Sequence, residues 1–114
     1  MSFFSSEVVR AEMTEIAELQ EQIYGNIFKF PKMSKEEKLE HVEVLETLLD
    51  KQKILYTRMS LSDDPEAVQM KERIIESASM MGLPSGVDMN IIFNNMSKML
   101  EVMKEQIDKT GSDL

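Results

Sequence analysis

The chain has 114 residues, with 13 Lys and Arg against 21 Asp and Glu, a net charge of −8, one His and no Cys. That length bounds a single domain, 1–114, and the missing cysteines exclude a disulfide scaffold and thiol chemistry. An acidic chain whose basic residues are scattered repels phosphate backbones, so nucleic-acid binding is not expected.

Three prolines and four glycines among abundant Glu, Lys, Leu, Met and Ile favour an all-α protein. The opening Met1-Ser2-Phe3-Phe4-Ser5-Ser6-Glu7 has no basic n-region leading into an apolar run. Nor does any stretch of about 18 consecutive apolar residues occur. The expectation is a cytoplasmic protein without a signal peptide or a membrane span.

The first helix is predicted from about Ser6 to Phe28, with Ser5 or Ser6 as N-cap and Glu7 favourably placed in the first turn. Val9, Met13, Ile16, Gln20, Ile23, Ile27 and Phe30 recur at alternating spacings of four and three and form a seam for another helix. Gly25 lies opposite that seam. Phe30-Pro31 marks the break, because the residue before a proline is pushed out of the helical region. Glu12 falls on the apolar side, where a carboxylate costs free energy unless it is paired. If Pro31 to Ser34 makes a tight turn, Glu12 comes level with Gln52 and one turn from Tyr56, and these three residues are read as a polar contact that fixes hairpin register.

Ser34 with Glu37 three residues later is a capping box, so the second helix starts there and runs to about Ser60. Val42, Leu45, Leu48, Leu49, Gln52, Leu55, Tyr56 and Met59 fall on one arc, and Glu36, Glu40, Glu43, Glu46 and Asp50 on the other. One face is therefore buried and the other solvated. Hard-cation sites recruit oxygens from a tight loop or several elements, so this acidic stripe reads as a wet face rather than a cation site. Lys51, Lys53 and Arg58 read as ordinary solvated or paired charges.

Leu61-Ser62-Asp63-Asp64-Pro65 stops this helix and starts a third over 65–81, with Asp64 as N-cap, Pro65 at N1 and Gly82 at the left-handed position after it. Asp88 caps a fourth over about 88–109, onto which Val87 can staple through Ile92. The fourth helix's apolar face is Met89, Ile92, Phe93, Met96, Met99, Leu100, Met103 and Ile107. Seven of the eleven methionines lie in this second half. Flexible thioethers can repack against different partners, so Met89, Phe93, Met96, Met99 and Met103 are the candidate protein interface; the plainer reading is that they fill the core or a self-interface.

His41, the one histidine, has Lys38 three residues before it, so the Glu-x-x-His pattern of helical di-iron centres is missing. It reads as a partly buried side chain near Tyr24. No catalytic, cofactor-binding or metal-ligating constellation stands out.

Phe3-Phe4 with Ser6-Glu7-Val8-Val9 and Glu12, then Tyr56 and Arg58 with Leu61-Ser62-Asp63-Asp64, and finally Met103-Lys104, resemble a family of cyanobacterial and cyanophage proteins called domain of unknown function 1825. The resemblance implies a cytoplasmic helical protein of a cyanobacterium or an infected cell. It carries no catalytic residue.

The expectation as a whole is an all-α, bundle-like protein. A long antiparallel hairpin over about 6–60 and two shorter C-terminal helices are completed by oligomerisation, a homodimer being favoured. Its function is expected to be that of a non-enzymatic interaction or adaptor module acting through self-association and a Met-rich face. It would bind a protein partner without cofactor, and would modulate a host protein if it is phage-encoded. A virion-associated structural component and an enzyme or metal-binding bundle are the alternatives.

Overall fold

The computed structural model describes residues 3–80, 82 and 88–110. After a short 3-10 turn at Phe3–Ser5 come α1 (Glu7–Asn26), a second 3-10 segment (Ile27–Lys32), α2 (Lys35–Leu61), α3 (Pro65–Met80) and α4 (Met89–Thr110). The chain is an all-helical, bundle-like protein, and no strand occurs among the described residues.

The helix boundaries follow local chemistry. Ser6 stands at the N-cap of α1 in extended conformation, but its side chain makes no capping bond; its carbonyl accepts the first helical bond from Arg10. The predicted extension of the first helix to Phe28 is instead a tighter coil from Ile27. Pro31 has no N–H to give the Ile27 carbonyl, and a 3-10 winding with Met33 N–H on the Phe30 carbonyl replaces the α-helical pattern. At the start of α2 the Ser34 hydroxyl oxygen accepts from the Glu37 N–H at 3.2 Å. The same hydroxyl donates to Glu37 Oε1 at 3.0 Å, a side-chain bond in place of the expected return to the serine backbone. Ser34→Ala is expected to cost about 1 kcal/mol, read as a lower midpoint in urea with an unchanged slope.

Gly82 takes φ 98°, and its N–H bonds the Ser79 carbonyl, so the turn after α3 is the one only glycine adopts freely. Met81, the predicted last residue of the third helix, and Val87, predicted to staple onto Ile92, lie outside the described residues. Asp88 does cap α4: its Oδ1 accepts from the Asn90 N–H at 2.9 Å.

The long central helix is α2, with α1 and α4 packed on different sides of it and α3 against its C-terminal end. Both flanking helices run antiparallel to α2. On the α1 side, Glu12 pairs with Arg58 and Glu15 with Lys51. On the α4 side, Lys35 pairs with Asp108, Glu46 with Lys104, and Lys53 with Asn94. Exposed ion pairs stabilise little, but five pairings in one antiparallel order disfavour other registers. The fourth helix, expected to be one of two shorter ones, has 22 residues against 20 in α1 and lies along α2 from Tyr56 to Lys35.

Val42 is fully buried, and Val9, Ile16 and Ile23 bury the inner line of α1. A second core joins Leu49, Tyr56, Met59, Ala67 and Phe93, with Phe3, Phe4, Met70, Ile74, Met89 and Leu100 packed around them. Burial is the main cause that raises the Tyr56 phenol above its ordinary value; the Asp88 carboxylate adds to this and Ser60 opposes it. The folded state thus holds that proton more tightly than the unfolded chain does. The corresponding stability is complete below about pH 10 and is lost as pH rises from there through the folded value. Denaturation in urea at about pH 8 and about pH 11 is expected to show the protein weaker at the higher pH, and Tyr56→Phe is expected to reduce that difference.

The molecule measures 54 × 32 × 20 Å with a radius of gyration of 16.5 Å, against about 13 Å for a compact chain of this length. Three helices side by side, with a fourth at one end, leave much of the layer uncovered.

Candidate protein interface

At about 100° per residue, the sides of α2 that face α1 and α4 leave two unequal exposed sides between them. One carries acids. There Glu36, Glu40, Glu43 and Asp50 are exposed, whereas Glu46, placed by the sequence on the same wet stripe, turns to α4 and bonds Lys104 at 3.0 Å. An open groove of about 660 Å³ runs along this side, bordered by Glu43, Glu46, Asp50, Lys53, Asn94 and Lys104. Its acids face lysines. The Glu46 carboxylate holds Lys104 charged above its ordinary range through a hydrogen bond and direct attraction, and Glu15 does the same to Lys51.

The other side is apolar. Leu45, Leu48, Leu49 and Gln52 of α2 and Met96, Met99, Leu100 and Met103 of α4 enclose a cleft of about 200 Å³. No residue of α1 or α3 lines it. Met99 is 66% exposed and Met96 45% exposed at its rim, and Met103 is half-buried within it.

The predicted interface set therefore divides. Phe93 is buried and lies 5.8 Å, centroid to centroid, from the Tyr56 ring, and Met89 packs against the same core. These two hold α4 to α2; Phe93 offers no surface to a partner, and Met89 is half-buried against the core. Met96, Met99 and Met103 form the open part. The split arises because the apolar arc of α4 is wider than one neighbouring helix can cover.

The predicted polar contact also changes. Glu12 reaches Arg58 at 3.2 Å, not Gln52 or Tyr56. Gln52 lines the apolar cleft, and Tyr56 packs under α4. Arg58 lies six residues, nearly two helical turns, beyond Gln52 on α2, so Glu12 sits further along that helix than a turn centred on Pro31–Ser34 gives. Glu12 is half-buried, and its Oε2 has no hydrogen-bond partner among the described residues. His41 is half-buried as expected, but its neighbour is the Phe30 ring at 5.4 Å, while Tyr24 points outward. Among the described residues no group of three or more His, Cys, Asp or Glu is placed to hold a metal ion. No described helix is long and apolar enough to cross a membrane.

Two features escaped the sequence reading. Phe28, at the turn between α1 and α2, is 92% exposed beside exposed Tyr24 and Ile27. The signal was present: Tyr24 and Phe28 are one helical turn apart and both lie off the main seam of α1. The second is the use of Asp64. Its backbone carbonyl starts α3 by accepting from the Val68 N–H, but its carboxylate accepts the Phe3 N–H, which fastens the chain's first turn to the α2–α3 corner.

That bond joins two separated sequence motifs, Phe3-Phe4 and Leu61-Ser62-Asp63-Asp64, at the same end of the molecule as Glu12, Arg58 and Tyr56. The model of the family described as Domain of unknown function (DUF1825) matches residues 1–107. The chain belongs to this family. No curated protein and no solved structure matches it. In this DUF1825 protein the recognisable residues do structural work: Phe3 and Phe4 pack on the second core, Asp64 holds Phe3, and Arg58 pairs Glu12.

Proposed function

We propose that this DUF1825 protein is a non-enzymatic helical interaction module that works through self-association and through the Met-lined face of α4. The observation that carries the reading is the apolar cleft between α2 and α4, rimmed by Met96 and Met99 on a chain of which 30% of residues are charged. Water-exposed thioethers on a regular helix face are costly to leave uncovered and adapt readily to a partner's shape. Binding needs only such a surface.

The cytoplasm of a cyanobacterium or of a phage-infected cell is the setting that the family resemblance suggests and belongs to this proposal, as does action on a host protein. Sedimentation velocity of the full chain over a wide concentration range tests self-association: a reversible shift to a faster species is expected, and a strict monomer throughout removes it.

A further inference from the structure

Two overlapping apolar seams run along α4. Met89, Phe93, Met96, Leu100, Met103 and Ile107 recur at alternating spacings of four and three, and Phe93 and Leu100 on this line press against the α2 core. Ile92, Met96, Met99, Met103 and Gln106 recur at the same spacing, turned by about 60° around the helix. One seam of this period serves one neighbouring helix. Two seams require two neighbours, and α4 packs mainly on α2. The residue at the centre of the second seam, Met99, is 66% exposed.

We propose that a second copy of the chain covers this seam. Two α4 helices would lie antiparallel about a two-fold axis near Met99, each Met99 seated at the mouth of the other protomer's α2–α4 cleft. This rests on the self-association reading and gives it a geometry. Three observations select the occupant.

The centre of the second seam is its own complement when reversed, Met99 meeting Met99 and Met96 meeting Met103, as an isologous interface requires, while at its ends Ile92 faces the polar Gln106. None of these five positions carries a charge, and copies bearing a net charge of −8 each approach most easily through a charge-free strip. Finally, the chain exposes 8273 Å² where about 6,400 Å² is usual for a compact 13.1 kDa monomer. That surplus exceeds the roughly 800 Å² per partner of a standard stable interface.

Because the chain has no cysteine, single thiols can map the assembly. Met99→Cys and Ile54→Cys, the latter an exposed position on the opposite side of α2, would each be treated with a short bis-maleimide, and Met99→Glu would be compared with wild type by sedimentation equilibrium. Both side chains are already solvent-exposed in the single chain, and circular dichroism checks that helicity is kept. The expected result is a wild-type dimer, self-cross-linking of Met99→Cys but not of Ile54→Cys, and dissociation weakened on the order of 100-fold or more by Met99→Glu, since a carboxylate at the centre of a dry seam is unpaired. A dimer that survives Met99→Glu, or that cross-links through Ile54→Cys alone, overturns this geometry and leaves self-association standing. A wild type that is monomeric at every concentration overturns both.

Discussion

Replacing Phe93 by alanine is expected to cost about 3 kcal/mol and to lower the melting temperature by roughly 15 °C at fixed protein concentration. Phe93 is the buried anchor of α4. Its ring rests on Tyr56 and shares the core with Leu49, Met59 and Ala67. Truncation removes the transfer free energy of the ring and leaves a cavity in the cluster where α2, α3 and α4 meet. The neighbours that could collapse into it, Met89 one turn before and Leu100 two turns after, are on the same helix, so filling the gap means moving α4 as a body. Thermal and urea denaturation measure the loss. Loss of less than about 1 kcal/mol would mean that α4 is held by its ion pairs rather than by this ring. The cleft residues provide the contrast. Met99→Ala is expected to leave the isolated chain within about 0.5 kcal/mol of wild type, because most of its side chain is in water already.

The difference between Phe93 and Met99 shows where sequence reading stops. Both belong to one apolar arc by periodicity, and periodicity reports only that an arc wants to leave water. Which part meets α2 depends on the angle at which α4 approaches, and that is set by Glu46–Lys104, Lys53–Asn94 and the Tyr56–Phe93 ring contact, all distant in sequence. Signals confined to a few neighbouring residues were legible. Ser34 with Glu37, Pro65, Gly82 and Asp88 mark helix ends because a cap or a left-handed turn is decided within four residues. Glu12 was legible as a carboxylate in need of a partner, yet its partner was not, since the partner depends on how many residues the turn between α1 and α2 consumes. The 3-10 winding forced by Pro31 moved the turning point, and Arg58 took the place expected of Gln52 and Tyr56.

That pair carries the other large prediction. Arg58→Ala is expected to destabilise by about 1–2 kcal/mol, more than removal of an ordinary surface ion pair does. The reason is what stays behind: Glu12 is 21% exposed, sits between Val9 and Ile16, and already has one carboxylate oxygen without a partner. Taking away the guanidinium leaves both oxygens of a half-buried charge without a direct partner, with only the Lys51 ammonium near enough to offset part of it. Arg58 itself is 47% exposed, which holds the cost below the roughly 3–5 kcal/mol of a fully buried pair.

Removing both charges should behave differently. Glu12→Leu with Arg58→Leu is expected to restore most of the loss, because an apolar pair at that position needs no desolvated ion. A double-mutant cycle in urea separates the coupling from the two single effects. If Arg58→Ala costs no more than a few tenths of a kcal/mol, the carboxylate is adequately hydrated and the pair is incidental. If instead the doubly apolar variant is as stable as wild type but loses a single well-ordered hairpin, seen as broadened amide resonances from α1, the pair contributes register rather than free energy. The position of Glu12 supports that outcome: a leucine would suit its neighbours better, but it would leave Glu15–Lys51 as the one described ion pair opposing a slide of α1 along α2 by a turn, where a carboxylate with a fixed arginine partner adds a second.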